Sequence, residues 1–223
     1  MDTKSKRNTP KTYIAKDANR RLREHLQIMG RDVQLVATEG IVEKALSNHP
    51  DMFLCKLGLR DDAPVWSATG LELSPGYPKD CAFNAACTGR YFIHNLAYTE
   101  PSLLAAAKEM GLVLIDVKQG YAKCSTVIVT ENAIITSDEG IAKACEPYED
   151  LEVLLVQPGH VRLEGYNSGF LGGASGRVGR ELIFNGNLLR HPDFTAILDF
   201  VEAHGLTCKW FPEYQLTDIG SIL

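Results

Sequence analysis

An α/β propeller of five repeated units, closed by pairing N- and C-terminal material, is the fold class this sequence predicts. Three observations lead there. First, one phrase recurs: an opening strand that begins on a polar residue, as at Asp80-Cys81-Ala82, Lys123-Cys124-Ser125, Asn167-Ser168-Gly169 and Asp218-Ile219-Gly220. Second, the first three openers are each followed by a β-rich run, a helix and an apolar run, and repeats of some forty residues are the mark of rings and arrays. Third, the chain ends on an opener, Leu216–Leu223, with no helix behind it, and starts with a helix and strand, Asp17–Ala37, with no opener before them. An unpaired terminal strand would leave a row of N–H and C=O groups exposed, so joining the two ends completes one unit and removes both edges.

The elements follow from local signals. Residues 1–11 are polar and basic and read as a flexible arm, with 12–223 as one domain. From Asp17, a candidate N-cap, Ala18, Leu22, Leu26 and Met29 keep helical spacing up to Gly30, a helix stop. Val33–Ala37 reads as a buried strand, Ile41–Leu46 as a short helix and Met52–Leu57 as a strand. The stretch from Arg60 to Lys79, rich in proline and turn residues, reads as loop with one strand at Val65–Ser67. In the cleaner repeats, Tyr91–Ile93 leads to a helix from Thr99 with Pro101 in its opening turn, then Leu112–Val117. Ala133–Thr136 leads to a helix from Ser137, then Leu151–Val156. Leu182–Phe184 leads to a helix from Pro192, then Leu206–Phe211. Strands alternating with helices favour an α/β arrangement.

Composition narrows the function. The chain of 223 residues is long enough to bury a core, and its net charge of −5 argues against nucleic acid as the main partner. Nine of the 23 Lys/Arg but only three of the 28 Asp/Glu fall within the first 31 residues, so a basic N-terminal arm precedes an acidic body. No apolar run has the length of a membrane span, and the N-terminus has no apolar signal region, so a cytoplasmic protein without a membrane partner is expected. The six cysteines form no CxxC pair, which fits a reducing compartment, and neither they nor the six histidines show zinc-ligand spacing. No metal and no cofactor is expected.

In a closed ring the openers gather at one mouth. Asp80, Lys123, Asn167 and Asp218 would then face one another, with Asn84 and Ser221 beside them, as a binding set for a small cationic or zwitterionic ligand. The same charges read equally as a salt-bridge plug that pins the repeats together. For catalysis the candidates are the opener cysteines Cys81 and Cys124, as nucleophiles, and His94 and His160, as bases. On a strand Lys123 and Cys124 would point to opposite faces, so both cysteines are expected to turn into packing. The phrases His49-Pro50-Asp51 and His191-Pro192-Asp193 read as entries to helices or strands. The glycine-rich run Gly169–Gly176 lacks the ending of a phosphate loop and suggests close backbone packing or close approach of a ligand.

Asp80-Cys81-Ala82-Phe83-Asn84-Ala85-Ala86 is similar to the Asp-x-x-Phe-x-x-Asn/Asp strand of the pentein, or guanidino-group-modifying, fold. Leu163-Glu164-Gly165 resembles that family's Leu-Glu-Gly-Gly-Asp. Asp218–Ile222 resembles the C-terminus of an uncharacterised bacterial family assigned to the same fold. The resemblance implies a fivefold α/β propeller with a site in its central channel, for guanidino, amidino or amino-acid-like ligands, and hydrolase or amidinotransferase chemistry on C–N bonds. The family's enzymes bring an acid, a His-x-Asp and a late Cys to that channel. Here the last opener offers Asp218, Gly220 and Ser221 instead, so cysteine catalysis of the family type does not follow. A non-enzymatic protein- or ribonucleoprotein-interaction module is the alternative.

Overall fold

A computed structural model describes residues 9–38, 40–69 and 72–223. The chain forms β1 (Lys11–Ala15), α1 (Arg20–Ile28), β2 (Asp32–Val36), β3 (Leu54–Lys56), β4 (Val65–Ser67), β5 (Ala86–Cys87), β6 (Tyr91–His94), α2 (Pro101–Glu109) and β7 (Val113–Asp116). It continues with α3, a single turn at Ala122–Ser125, then β8 (Thr126–Thr130), β9 (Ala133–Thr136), α4 (Glu139–Cys145), β10 (Glu152–Leu155), β11 (Ser175–Val178), β12 (Glu181–Phe184), α5 (Phe194–Ala203) and β13 (Thr207–Lys209). The strands fall into five small sheets, and no closed barrel forms among the described residues. Three sheets share one build. An antiparallel pair is followed by a helix and a parallel third strand, in β5-β6-β7, β8-β9-β10 and β11-β12-β13.

Three of the helices, α1, α2 and α4, start where a side chain satisfies a free N–H. Asn19 accepts from Arg21 N, Glu100 from Leu103 N and Asp138 from Ile141 N. Leu22 and Leu26 on α1, and Ile197 and Val201 on α5, turn one face inward and are fully buried. Gly30, at φ +76°, ends the first helical segment in a conformation that suits glycine. The core is divided into four apolar clusters rather than one.

The inner strands follow one another sideways. β3 lies against β5, β5 against β8 and β8 against β11. Beyond β11 stands the C-terminal segment, where Ile222 N donates to Ser175 O at 2.9 Å. Tyr13 and Leu223 exchange both backbone hydrogen bonds, at 2.8 and 3.1 Å, so the two ends of the described chain are joined. Asp51 N donates to Gly220 O at 3.1 Å, which returns the C-terminal segment to the turn before β3.

Several expectations need correction. Lys11 is no part of an arm, because it opens β1 and Pro10 O accepts from Asp32 N; residues 1–8 lie outside the described residues. The openers are not extended strands. Lys123-Cys124-Ser125 is a helical turn, Asp80–Ala82 is turn, and Asn167–Gly169 is loop. Leu216–Leu223 forms no continuous ladder, since it bridges Arg162 at Thr217 and then bends at Gly220 and Ser221, both at positive φ.

The closure has an energetic consequence. Ile219 and Ile222 pack with Ile14, Ala15, Leu22 and Leu26, and Leu216 packs with Leu182 and Phe184. Removing these three aliphatic side chains from burial costs about 5–9 kcal/mol, which rivals the whole stability of a typical domain. A chain lacking residues 216–223 should therefore show no cooperative melt by circular dichroism. A cooperative melt at the parent temperature would contradict the closure.

Candidate functional site

The bend at Gly220-Ser221 carries the C-terminal segment into the middle of the molecule, where side chains from separate segments meet. Ser221 is the one non-glycine residue at positive φ among the described residues, an uncommon state that costs on the order of 1–3 kcal/mol. Its Oγ donates to Asp51 Oδ2 at 2.6 Å and accepts from Lys123 Nζ at 2.9 Å. Asp51 follows His49 and Pro50 in a 3₁₀ turn before β3, and Lys123 is on α3. Cys124 Sγ donates to the same Asp51 Oδ2 at 3.1 Å and accepts from Asn84 Nδ2 at 3.2 Å. Asn84 Oδ1 also accepts the backbone N–H groups of Lys123 and Cys124, which fixes α3 against the turn before β5. Asp218 accepts from Phe170 N and Gly220 N, with Oδ1 3.8 Å from His49 Nδ1.

All of these groups are buried. Burial sets their titration: it pushes the Asp218 carboxyl up to about 6, against the pull of two backbone N–H groups and Lys123. It also raises Asp51 and lowers Lys123, with their mutual attraction opposing both shifts. The Cys124 thiol is pushed well above its ordinary value by burial and then by the two carboxylates. His49 is lowered by burial. Two atoms in the group have no hydrogen-bond partner among the described residues, His49 Nδ1 and Asp51 Oδ1. A ring nitrogen of His49, a carboxylate oxygen of Asp51 and Cys124 Sγ lie within 4.8 Å of one another, a spacing that suits a metal ion.

Four of the sequence-predicted binding residues, Lys123, Asn84, Asp218 and Ser221, are therefore together, and two are elsewhere. Asp80 receives Tyr121 Oη on Oδ2 at 2.9 Å, beside a second pair in which Tyr166 Oη donates to Glu43 Oε2 at 2.6 Å. It shares no hydrogen bond or ion pair with Lys123 or Asp218. Asn167 is exposed in a surface depression with Arg162 and Tyr166. The catalytic candidates also separate. Cys124 faces the polar group rather than apolar packing, because the helical turn lets it and Lys123 point the same way. Cys81 donates to Pro78 O, and burial with Asp80 nearby pushes its thiol up to about 12. His94 is locked between Thr99 Oγ1 and Gly120 O, at 2.7 and 2.8 Å. His160 is exposed, edge-on to His191. His49 and Asp51, expected only as an element entry, join the group as well, and His49-Pro50-Asp51 is itself a His-x-Asp phrase.

The glycine-rich run packs tightly. A Cβ at Gly172 would lie 2.5 Å from the carbonyl oxygens of Lys123 and Thr126, and one at Gly173 would collide with Asp218.

One narrow channel leads to this group. It is lined by Leu54, Cys55 and Lys56 of β3, Ala85 and Cys87 at β5, Ile128 of β8, Gly176 and Arg177 of β11, and Ile222 and Leu223, with Lys123 at its inner end. The space in it that water-sized spheres can occupy is about 40 Å³. Among the described residues, no helix is long and apolar enough to cross a membrane.

Residues 13–223 match a family of unknown function, DUF6873, and the chain belongs to that family. No curated protein and no solved structure matches it.

His94 yields a pH test. Burial holds its imidazole down at about 4, against an ordinary value near 6.5. Between those values the unfolded chain takes up a proton that the folded chain refuses, so stability falls as pH drops from about 6.5 through about 4, by about 3 kcal/mol in total. His94→Gln should lose that part of the acid slope in denaturant titrations at pH 7 and pH 4.5. Parallel pH dependence in variant and parent would show that His94 is not held neutral.

Proposed function

We propose that this chain is a closed fivefold α/β propeller of the guanidino-group-modifying type that binds a small, carboxylate-bearing, amino-acid-like ligand at the mouth of its axial channel. Five sheets, three of them of identical build, and the joining of Tyr13 to Leu223 support the ring. The ring reading also explains why β3, β5, β8 and β11 adjoin in chain order, and why the C-terminal segment falls between β11 and the turn before β3.

The observation that carries the ligand is the charge of the channel. Among the described residues its lining includes Lys56, Arg177 and Lys123 and no Asp or Glu. Burial lowers the pKa of all three cations, the sign of charge short of water. An anionic group entering the channel would restore solvation to them. By the same measure a buried water needs about 10–15 Å³, so this space takes a group of carboxylate size, and the rest of the ligand would sit at the mouth. This favours a zwitterion over a purely cationic ligand. Turnover of a guanidinium is not part of the reading, because burial keeps the thiols of Cys55, Cys87 and Cys124 protonated and therefore weakly nucleophilic.

Calorimetric titration with free amino acids and their decarboxylated amines, arginine against agmatine among them, tests this. At least one amino acid should bind while its amine does not, and Lys56→Ala should weaken binding about tenfold, a change of roughly 1.4 kcal/mol. No citrulline-type product should form. Equal binding of amine and amino acid, or no binding of any amino acid, would refute the carboxylate reading.

A further inference from the structure

We propose that His49, Asp51 and Cys124 form a mononuclear site for a thiophilic divalent metal ion of the zinc class. The site is independent of the channel ligand, and stands whether or not a small molecule binds there.

The three residues come from two segments that the fold forces together, the turn before β3 and the turn α3. Each is at least nine-tenths buried, with Asp51 at 0% and His49 and Cys124 at 4% exposure. Their donor atoms lie within 4.8 Å of one another, and Cys124 Sγ is 3.1 Å from Asp51 Oδ2. Tetrahedral zinc with S, N and O ligands at about 2.0–2.3 Å separates its ligand atoms by roughly 3.3–3.8 Å, so small rotamer adjustments bring the set to bonding distance.

Two features distinguish this group from an ordinary buried hydrogen-bond network. His49 Nδ1 and Asp51 Oδ1 have no hydrogen-bond partner, although burying a polar group without one costs about 1–3 kcal/mol. The remaining contacts are those expected around a metal site. Asn84 Nδ2 donates to Cys124 Sγ, which a thiolate accepts better than a thiol. Ser221 Oγ donates to Asp51 Oδ2 and orients that carboxylate. Asp218, 3.8 Å from His49 Nδ1, stands where a fourth ligand belongs. A divalent cation also answers the charge of the group, in which two carboxylates face a single ammonium. On binding, the metal replaces the Cys124 proton, which leaves to solvent as the Sγ–metal bond forms.

The mixed donor set selects the ion. Thiolate with imidazole favours zinc over magnesium or calcium, which take all-oxygen shells. With three protein donors from two segments, and Asp218 from a third, the ion would tie the C-terminal segment to the interior.

The test uses the full chain without a histidine tag. Protein purified from zinc-supplemented medium should carry about one zinc per chain by mass spectrometry, and stripping it with a chelator should lower its melting temperature by several degrees. Refolding the stripped chain with Co²⁺ should give the intense near-ultraviolet band of cobalt–thiolate charge transfer. Cys124→Ser should lose the band, and Cys145→Ser, which changes a buried thiol on α4, should keep it. Should Cys124→Ser fail to fold, the parent's metal content and its chelator-sensitive melting still decide. No metal retained or taken up by the parent, cobalt bound without a thiolate band, or a band that survives Cys124→Ser would overturn the proposal and leave ordered water between His49 and Asp51.

Discussion

Lys123 is a buried ammonium, and the middle of the molecule is arranged around the need to keep it paired. Removing such an ion from water costs several kcal/mol even after relaxation, and attraction to a partner offsets this only with good geometry and further hydrogen bonds. Here the partner is Asp51, reached through Ser221 Oγ, with Gly172 O 3.5 Å from Nζ. Each supporting atom belongs to a different stretch of chain. Asp51 needs the turn before β3, Ser221 needs the C-terminal segment, and Gly172 needs the glycine-rich loop ahead of β11. The pairing of Tyr13 with Leu223 delivers Ser221 to its place, and the positive φ of Ser221 is the local strain accepted for that contact.

The same requirement accounts for the glycines. Asp218 and the α3 carbonyls approach the Gly172-Gly173 backbone so closely that any Cβ would intrude. Gly220 sits at φ +68° with its Cα turned against His49, where a side chain would collide with the imidazole. The glycine-rich run, whose sequence suggests close backbone packing or close approach of a ligand, packs closely and is the surface on which the polar group rests.

Much of the periphery was legible in the sequence. α2, α4 and α5 begin within two residues of the positions read from proline and acidic signals, since capping chemistry is local. Val65–Ser67 and Ala133–Thr136 are strands with the bounds read from their composition. The joining of the chain ends was legible too, because an unmatched opener at one end and a missing one at the other is a global signal. β1 was not, since five residues after a polar tail carry little periodicity. The site was half legible. Lys123, Asn84, Asp218 and Ser221 were found by their repeat positions, but repeat position misled for Asp80 and Asn167, because the openers are turns whose side chains do not share one direction. Cys124 was turned the wrong way for the same reason. His49 and Asp51 were missed because their repeat is irregular, and their partners lie far along the chain, where no spacing rule applies.

A double-mutant cycle between Asp51→Asn and Lys123→Met, followed by denaturant unfolding of metal-stripped protein, tests the dependence on this pair most directly. Breaking a buried pair from one side leaves an uncompensated charge or acceptor, so each single change should destabilise by about 3–5 kcal/mol. The double change removes both charges, and should cost less than the sum of the singles by at least 2 kcal/mol or so. Single effects that add to within about 0.5 kcal/mol would contradict it, and would mean that Lys123 and Asp51 share the interior without holding it together.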